Sequence, residues 1–287
     1  MKTYPTCEYI KVTPDQAEQW LESQAKNRKI SLRRVGLYAA AMKRGDWMVT
    51  NQGIAIDEFG ALIDGQHRLR AIIEAQMSVE LLVIRAAPNK SQLVLDQGAK
   101  RLPHDQVGLR EGWEVTPFHM AVAKSMVTSV GGTGEMERRS IVADIQLMDR
   151  FYVRHHKAVE FAVAQFASRQ KVKGVTIAPV LGPVARAHYS VDVNKLTRFC
   201  EVVATGMADR KGDGPAVVLR NWLLAGRDKA LSSRSGKDRY AIYKKTEIAL
   251  DAFLSNKSIQ RIGQMSIDAE QYAIPGEIRI VKKAEAA

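Results

Sequence analysis

Leu62-Ile63-Asp64-Gly65-Gln66-His67-Arg68-Leu69-Arg70-Ala71 is the stretch on which the fold of the N-terminal part of this chain turns. Ala61-Leu62-Ile63 is a short apolar run of strand type, and Leu69, Ile72 and Ile73 then recur at helical spacing up to about Gln76. An acid, a glycine, an imidazole and two guanidinium groups therefore fall in a strand-to-helix turn. Gly65 permits a tight turn or close approach of a ligand to the backbone. The first turn of the following helix offers N–H groups at the positive end of its dipole, which suits an anion. Arg68 and Arg70 supply charge-assisted contacts to phosphoryl oxygens, His67 is the general-acid candidate, and Asp64 is a candidate for holding a divalent cation or accepting a proton. Taken singly, Asp64 is as readily a helix N-cap and the arginines solvated helix charges. Their concentration within seven positions favours a ligand site.

Working outward, Thr13-Pro14-Asp15 reads as a helix start with Ala17, Trp20 and Leu21 as its apolar stripe, and a second helix is expected from Leu32 to Lys43. Ile54-Ala55-Ile56-Asp57, the turn Glu58-Phe59-Gly60 and Ala61-Leu62-Ile63 predict a β-hairpin that delivers the motif. Val79 to Arg85 is the clearest strand, continuous enough in apolar residues to be buried in a sheet. From Val107 onward helical periodicity dominates, predicting helices over 117–130, 136–155, 158–168, 177–188, 194–204, 216–225 and 239–254. The expected fold class is α+β: a domain with a small sheet over 1–106, followed by an α-helical domain over 107–287.

The composition, 46% hydrophobic and 26% charged over 287 residues, is that of an ordinary folded chain with one large or two modest domains. No apolar run is long enough to cross a bilayer and Met1 to Glu8 lacks the apolar core of a signal peptide, so no membrane partner and a cytoplasmic location are expected. Cys7 and Cys200 form no paired metal motif and are read as two inert thiols. The net charge of +12 points to a polyanion such as DNA or RNA. Its densest patch is Arg227, Lys229, Arg234, Lys237, Arg239, Lys244 and Lys245, read either as a nucleic-acid-facing surface or as a solvated corner around Ser232 to Gly236.

Other patterns carry no chemistry. Gly131, Gly132 and Gly134 precede no Gly-Lys-Ser/Thr element, and no nucleophile elbow or cluster of carboxylates of the two-metal type is present. His155-His156, between Arg154 and Lys157, reads as a solvated basic face, and Trp20, Trp47, Trp113 and Trp222 read as packing anchors.

Gly65-x-x-Arg68-x-Arg70-Ala71 resembles the Gly-Glu-Arg-Arg-x-Arg-Ala box of ParB-type partition proteins, and Gly65-x-His67-Arg68 resembles the Gly-Cys-His-Arg box of sulfiredoxins. Both belong to one nucleotide-binding superfamily. The string Asp64-Gly65-Gln66-His67-Arg68 is most similar to the DGQHR proteins, which include DndB-like proteins linked to DNA modification systems and phage-encoded ParB-like proteins. The resemblance spans about residues 8 to 105. It implies a ParB/sulfiredoxin-like N-terminal domain in which Gly65, Gln66 and Arg68 contact a triphosphate. Asp96, Gly98 and Arg101 resemble the Asp-x-Gly-x-x-Arg segment of the phage-type relatives and form an expected second wall, with Asp96 on Mg²⁺ and Arg101 on phosphate. A surface Asx-type turn accounts for Asp96 equally well. Asn27-Arg28 and Asn51 are weaker candidates.

The chain also departs from both boxes. Gln66 stands where sulfiredoxins carry the reactive cysteine, and a carboxamide forms no thiolate, which removes sulfinic acid repair. Gln66 and His67 replace the Glu and first Arg of the partition box, so neither CTP preference nor a sliding-clamp cycle follows.

The expectation is thus a DNA-associated ParB-like protein that binds a nucleoside triphosphate, ATP or CTP, with Mg²⁺ and hydrolyses it or transfers phosphoryl, with Asp64, His67 and Arg68 as the catalytic candidates. A phage source places it in the host cytoplasm, and a homodimer is compatible with the pattern. The alternatives are a non-enzymatic DNA-binding regulator or partition-type module, and a metal-dependent DNA nuclease.

Overall fold

The computed structural model describes residues 4–23, 27, 29–88, 90, 91, 102–128, 144–167, 172, 174–225, 236–263 and 271–276. The chain divides into two compact units, Met1–Lys100 and Arg101–Ala287. It is mixed α and β, with ten α-helices and a four-stranded mixed sheet among the described residues.

The first unit runs β1 (Thr6–Val12), α1 (Pro14–Glu22), α2 (Leu32–Lys43), β2 (Ile54–Asp57), β3 (Leu62–Asp64), α3 (Gln66–Ala75) and β4 (Val79–Ala87). Thr13 caps α1, its hydroxyl accepting from the Gln16 amide at 3.2 Å, and Pro14 occupies the first turn, where its missing N–H costs nothing. Ser31 caps α2 in the same way, accepting from Arg34 N. The strands lie in the order β1-β4-β2-β3, with β1 antiparallel to β4, β4 parallel to β2 and β2 antiparallel to β3. The apolar strand expected at 79–85 is therefore an interior strand. The expected hairpin is β2–β3, its turn set by Asp57, whose Oδ1 accepts from the amides of Phe59 and Ala61 at 2.9 and 2.7 Å. One face of the sheet, with Ile10, Val12, Ile54, Leu62, Leu81 and Val83, buries against Leu21, Val35, Met42, Leu69 and Ile72 of the three helices. β1 was not among the expected strands. Four of its residues in a row are exposed, so its alternation carries little apolar signal.

The second unit is helical: α4 (Pro103–Glu111), α5 (Pro117–Thr128), α6 (Ile145–Ala167), α7 (Ala178–Ala187), α8 (Val193–Thr205), a 3-10 turn at Lys211–Asp213, α9 (Gly214–Ala225) and α10 (Gly236–Leu254). Two helices were expected over 136–155 and 158–168. Instead α6 runs unbroken through 156–157, while 136–143 lie outside the described residues. Within Arg154 to Lys157 the two imidazoles pack inward while Arg154 and Lys157 stay exposed. His155 is 3% exposed with Nδ1 2.8 Å from the Tyr189 hydroxyl, and the His156 ring stacks on Trp113 with centroids 4.0 Å apart, which corrects the solvated reading of this pair.

All ten residues of α7 are buried. One of them, Arg186, donates from Nε to the Tyr272 carbonyl and from Nη1 to the Met126 carbonyl, both at 2.7 Å, which satisfies an acceptor in the last turn of α5. Arg198 pairs with Glu201 one turn on, ties α8 to the following segment through Asp209 and Asp213, and holds the Asp213 carboxyl below its ordinary range. Arg220 donates to the Val203 and Ala204 carbonyls and so closes the C-terminal end of α8.

Burial, reinforced by the Arg154 and Arg186 cations, lowers His155 to about 4. The unfolded chain, with an imidazole near 6.5, binds that proton more readily, so stability conferred by the neutral ring is complete above about pH 6.5 and is lost as pH falls toward 4. Urea unfolding of the second unit is expected to show a loss of about 2 kcal/mol between pH 7 and about pH 5, and His155→Gln is expected to flatten that slope. A slope identical in the variant would contradict this origin.

Candidate functional site

β3 ends at Asp64 and the chain enters α3 through Gly65, whose φ is +103°. A Cβ at Gly65 would lie 3.2 Å from Ile54 Cα, so this position needs glycine for both backbone hand and the closeness of β2. Asp64 Oδ1 accepts from the Gly65 amide at 2.7 Å, and its Oδ2 lies 3.6 Å from Arg68 Nη1. The same Arg68 nitrogen donates to the Gly53 carbonyl at 2.8 Å. Gly53 lies so close to β4 that a Cβ there would run into the Leu82 carbonyl oxygen. Arg68 thus fastens the start of α3 to the start of β2, and its side chain remains 14% exposed.

His67 is 6% exposed, and its Nε2 accepts from the Ser31 amide at 3.0 Å. An Nε2 that accepts carries no proton, so the neutral ring holds its proton on Nδ1. Ser31 is the N-cap of α2, so this bond sets the N-terminus of α2 beside the N-terminal turn of α3. Two positive helix ends meet there. Arg33, Arg34 and Arg68 lie in the first turns of the two helices, and Arg70 lies just beyond; Arg33 and Arg70 are exposed. Asn27 donates from Nδ2 to the Leu62 carbonyl at 3.0 Å and thereby pins the chain before α2 onto β3.

The structure therefore brings Asp64, Gly65, Gln66, His67, Arg68 and Arg70 together around one helix start, and changes the roles expected of three. His67 is not placed as a general acid, because its Nε2 holds the Ser31 amide proton and the ring is buried. Gln66 is 5% exposed, so its side chain is withdrawn from a phosphate at the surface. Asp64 is engaged by Gly65 and Arg68, which leaves it a poor sole ligand for a metal. Among the described residues no group of three or more His, Cys, Asp or Glu side chains gathers in a way that could hold a metal ion. Asp96, Gly98 and Arg101, together with Arg28, lie outside the described residues, and Asn51 is exposed.

The expected basic patch is only partly described. Arg227, Lys229 and Arg234 lie outside the described residues, and Lys237 sits in the first turn of α10. Arg239 is exposed. Lys244 is corrected: it is 3% exposed and paired at 2.7 Å with Glu247, itself fully buried, so it presents no charge to a polyanion. Lys245 is half-buried, donating to the Ile262 carbonyl at 3.0 Å and lying 5.1 Å over the Trp222 ring.

Ser31, Arg33, Arg34 and Gly53 were missed as parts of the site. Ser31 was legible as a helix cap before Leu32, but nothing local announces that its amide reaches an imidazole 36 positions away. Comparison with family models, with curated proteins and with solved structures finds no match for this chain.

His67→Leu keeps the volume and removes the acceptor. It is expected to destabilise the first unit by about 1–2 kcal/mol and to accelerate hydrogen exchange at the Ser31 amide. Unchanged exchange at Ser31 would show that the bond does not hold the two helix ends together.

Proposed function

We propose that the first unit binds the phosphoryl groups of a nucleoside triphosphate across the paired N-termini of α2 and α3, and that the chain is a DNA-associated ParB-like protein. The binding proposal rests on the Ser31–His67 bond, which ties the N-terminus of α2 to the first turn of α3, with Arg33 and Arg70 exposed on those two helices. A single helix end attracts an anion weakly; two ends with adjacent guanidinium groups match the charge of a triphosphate. The resemblance of residues 64–71 to the DGQHR and partition-protein boxes supports the same ligand class. The net charge of +12 supports DNA as the polyanionic partner.

The geometry favours retention of the nucleotide over its turnover. Hydrolysis needs a group that orients or deprotonates water near the terminal phosphate, and the expected candidates are otherwise engaged: His67 with the Ser31 amide, Asp64 with Gly65 and Arg68. Mg²⁺ would arrive with the phosphates, whose oxygens and bound waters supply ligands to it. Among the described residues no group of three or more His, Cys, Asp or Glu side chains gathers to cage it. The site then acts as a nucleotide sensor within a DNA-binding protein.

Calorimetric titration with ATP, CTP, GTP and UTP in Mg²⁺ is expected to find one nucleotide that binds. Arg70→Ala, at an exposed position, should weaken it at least about tenfold while leaving unfolding unchanged. No binding by the folded wild type would overturn the proposal. Steady phosphate release that His67→Leu abolishes would replace retention by hydrolysis.

A further inference from the structure

The two edges of the sheet are treated differently. At the β3 edge the Leu62 amide donates to the Ser23 carbonyl at 3.0 Å and the Leu62 carbonyl accepts from Asn27, so the chain before α2 seals that side. At the other edge β1 pairs with β4 along its full length, and no described strand lies on its outer side. Thr6, Cys7, Glu8 and Tyr9 are all exposed, Tyr9 at 66%, and Tyr4 just before the strand is 76% exposed. A seven-residue strand without proline or glycine, with no described strand on its outer side, is a template for another strand.

We propose that β1 pairs with β1 of a second copy of this chain, antiparallel about a twofold axis through Tyr9. The register follows from the strand itself. Tyr9 is the midpoint of Thr6–Val12, so only a twofold at Tyr9 overlaps all seven residues and joins two four-stranded sheets into one of eight. Ile10 and Val12 belong to the helix-covered core, so Cys7, Tyr9 and Lys11 face the opposite side. There the two Tyr9 rings meet across the axis, as favourable cross-strand aromatic pairs do, and each Cys7 stands opposite Lys11 of the other copy. Charge also favours this stretch. In a chain of net +12 that repels its own copies, β1 holds one acid, Glu8, and one base, Lys11, and is neutral.

Sedimentation of the full chain across micromolar to submillimolar concentration tests the proposal, with Tyr9→Lys as the disrupting variant. The wild type should dimerise, and Tyr9→Lys, which sets two cations against each other at an exposed position, should weaken the dimer at least tenfold with an unchanged circular dichroism spectrum. The register is tested separately by Lys11→Cys. Residues 7 and 11 lie about 13 Å apart along one strand, too far to join within a chain, so oxidation of this variant should link Cys7 of one copy to the thiol introduced at position 11 of the other. Cys200 is buried and stays out of the reaction. A monomeric wild type, including one whose edge instead takes a strand from another protein, would overturn the proposal. So would a dimer that neither weakens with Tyr9→Lys nor crosslinks through Lys11→Cys.

Discussion

The hydrogen bond from the Ser31 amide to His67 Nε2 is the constraint on which the first unit depends. It joins the cap of α2 to the second residue of α3, two elements separated by a hairpin and packed through a shared apolar core. For the ring to reach that amide, α3 must start immediately after β3, and Gly65 makes this start by taking a backbone hand that other residues resist. The close approach of Gly65 to Ile54, and of Gly53 to Leu82, then draws β2 tight against both the turn and β4. Arg68 locks the same corner from the other side through the Gly53 carbonyl. A motif that reads as a list of ligand-binding groups is thus first a set of joints. Among its arginines Arg70 is exposed, whereas Arg68 is turned onto the Gly53 carbonyl.

The second unit shows the same conversion of charge into structure. Arg186, Lys244 and Glu247 lie inside the helical layer, the first satisfying two carbonyls and the other two satisfying each other. A buried arginine or ion pair is tolerated only where hydrogen bonds compensate it, so Arg186 helps to specify how α7 sits against α5, while Lys244 and Glu247 pair within α10. Arg186, 1% exposed, is a cation that composition counts and burial withdraws from the surface, whereas the buried Lys244–Glu247 pair is neutral and leaves the net charge of +12 unchanged. Lys245 is half-buried on its carbonyls.

Much of the fold was legible because its signals are local. Thr13-Pro14 pointed to α1, the apolar runs on either side of the turn Glu58-Phe59-Gly60 to the hairpin, and the apolar run at Val79 to the interior strand, and the span Leu32 to Lys43 was expected as α2. β1 escaped because an edge strand buries little and so needs little periodicity. The continuity of α6 escaped because Arg154 to Lys157 reads as polar until Tyr189 and Trp113, brought in by the fold, give the two imidazoles partners. The site divides in the same way. The turn, the glycine and the helix start were readable at Gly65, whereas the engagement of His67 depends on Ser31, a contact distant in sequence.

The central claim, that the Ser31–His67 bond assembles an anion site from two helix ends, is tested most directly by following backbone amide resonances of the isotopically labelled chain while Mg²⁺-nucleotide or tripolyphosphate is added. Saturable shifts at Ser31 to Arg34 and at Gly65 to Leu69 together, with the rest of the first unit unmoved, are the expected result. Shifts at only one of the two helix ends, or at neither, would contradict it.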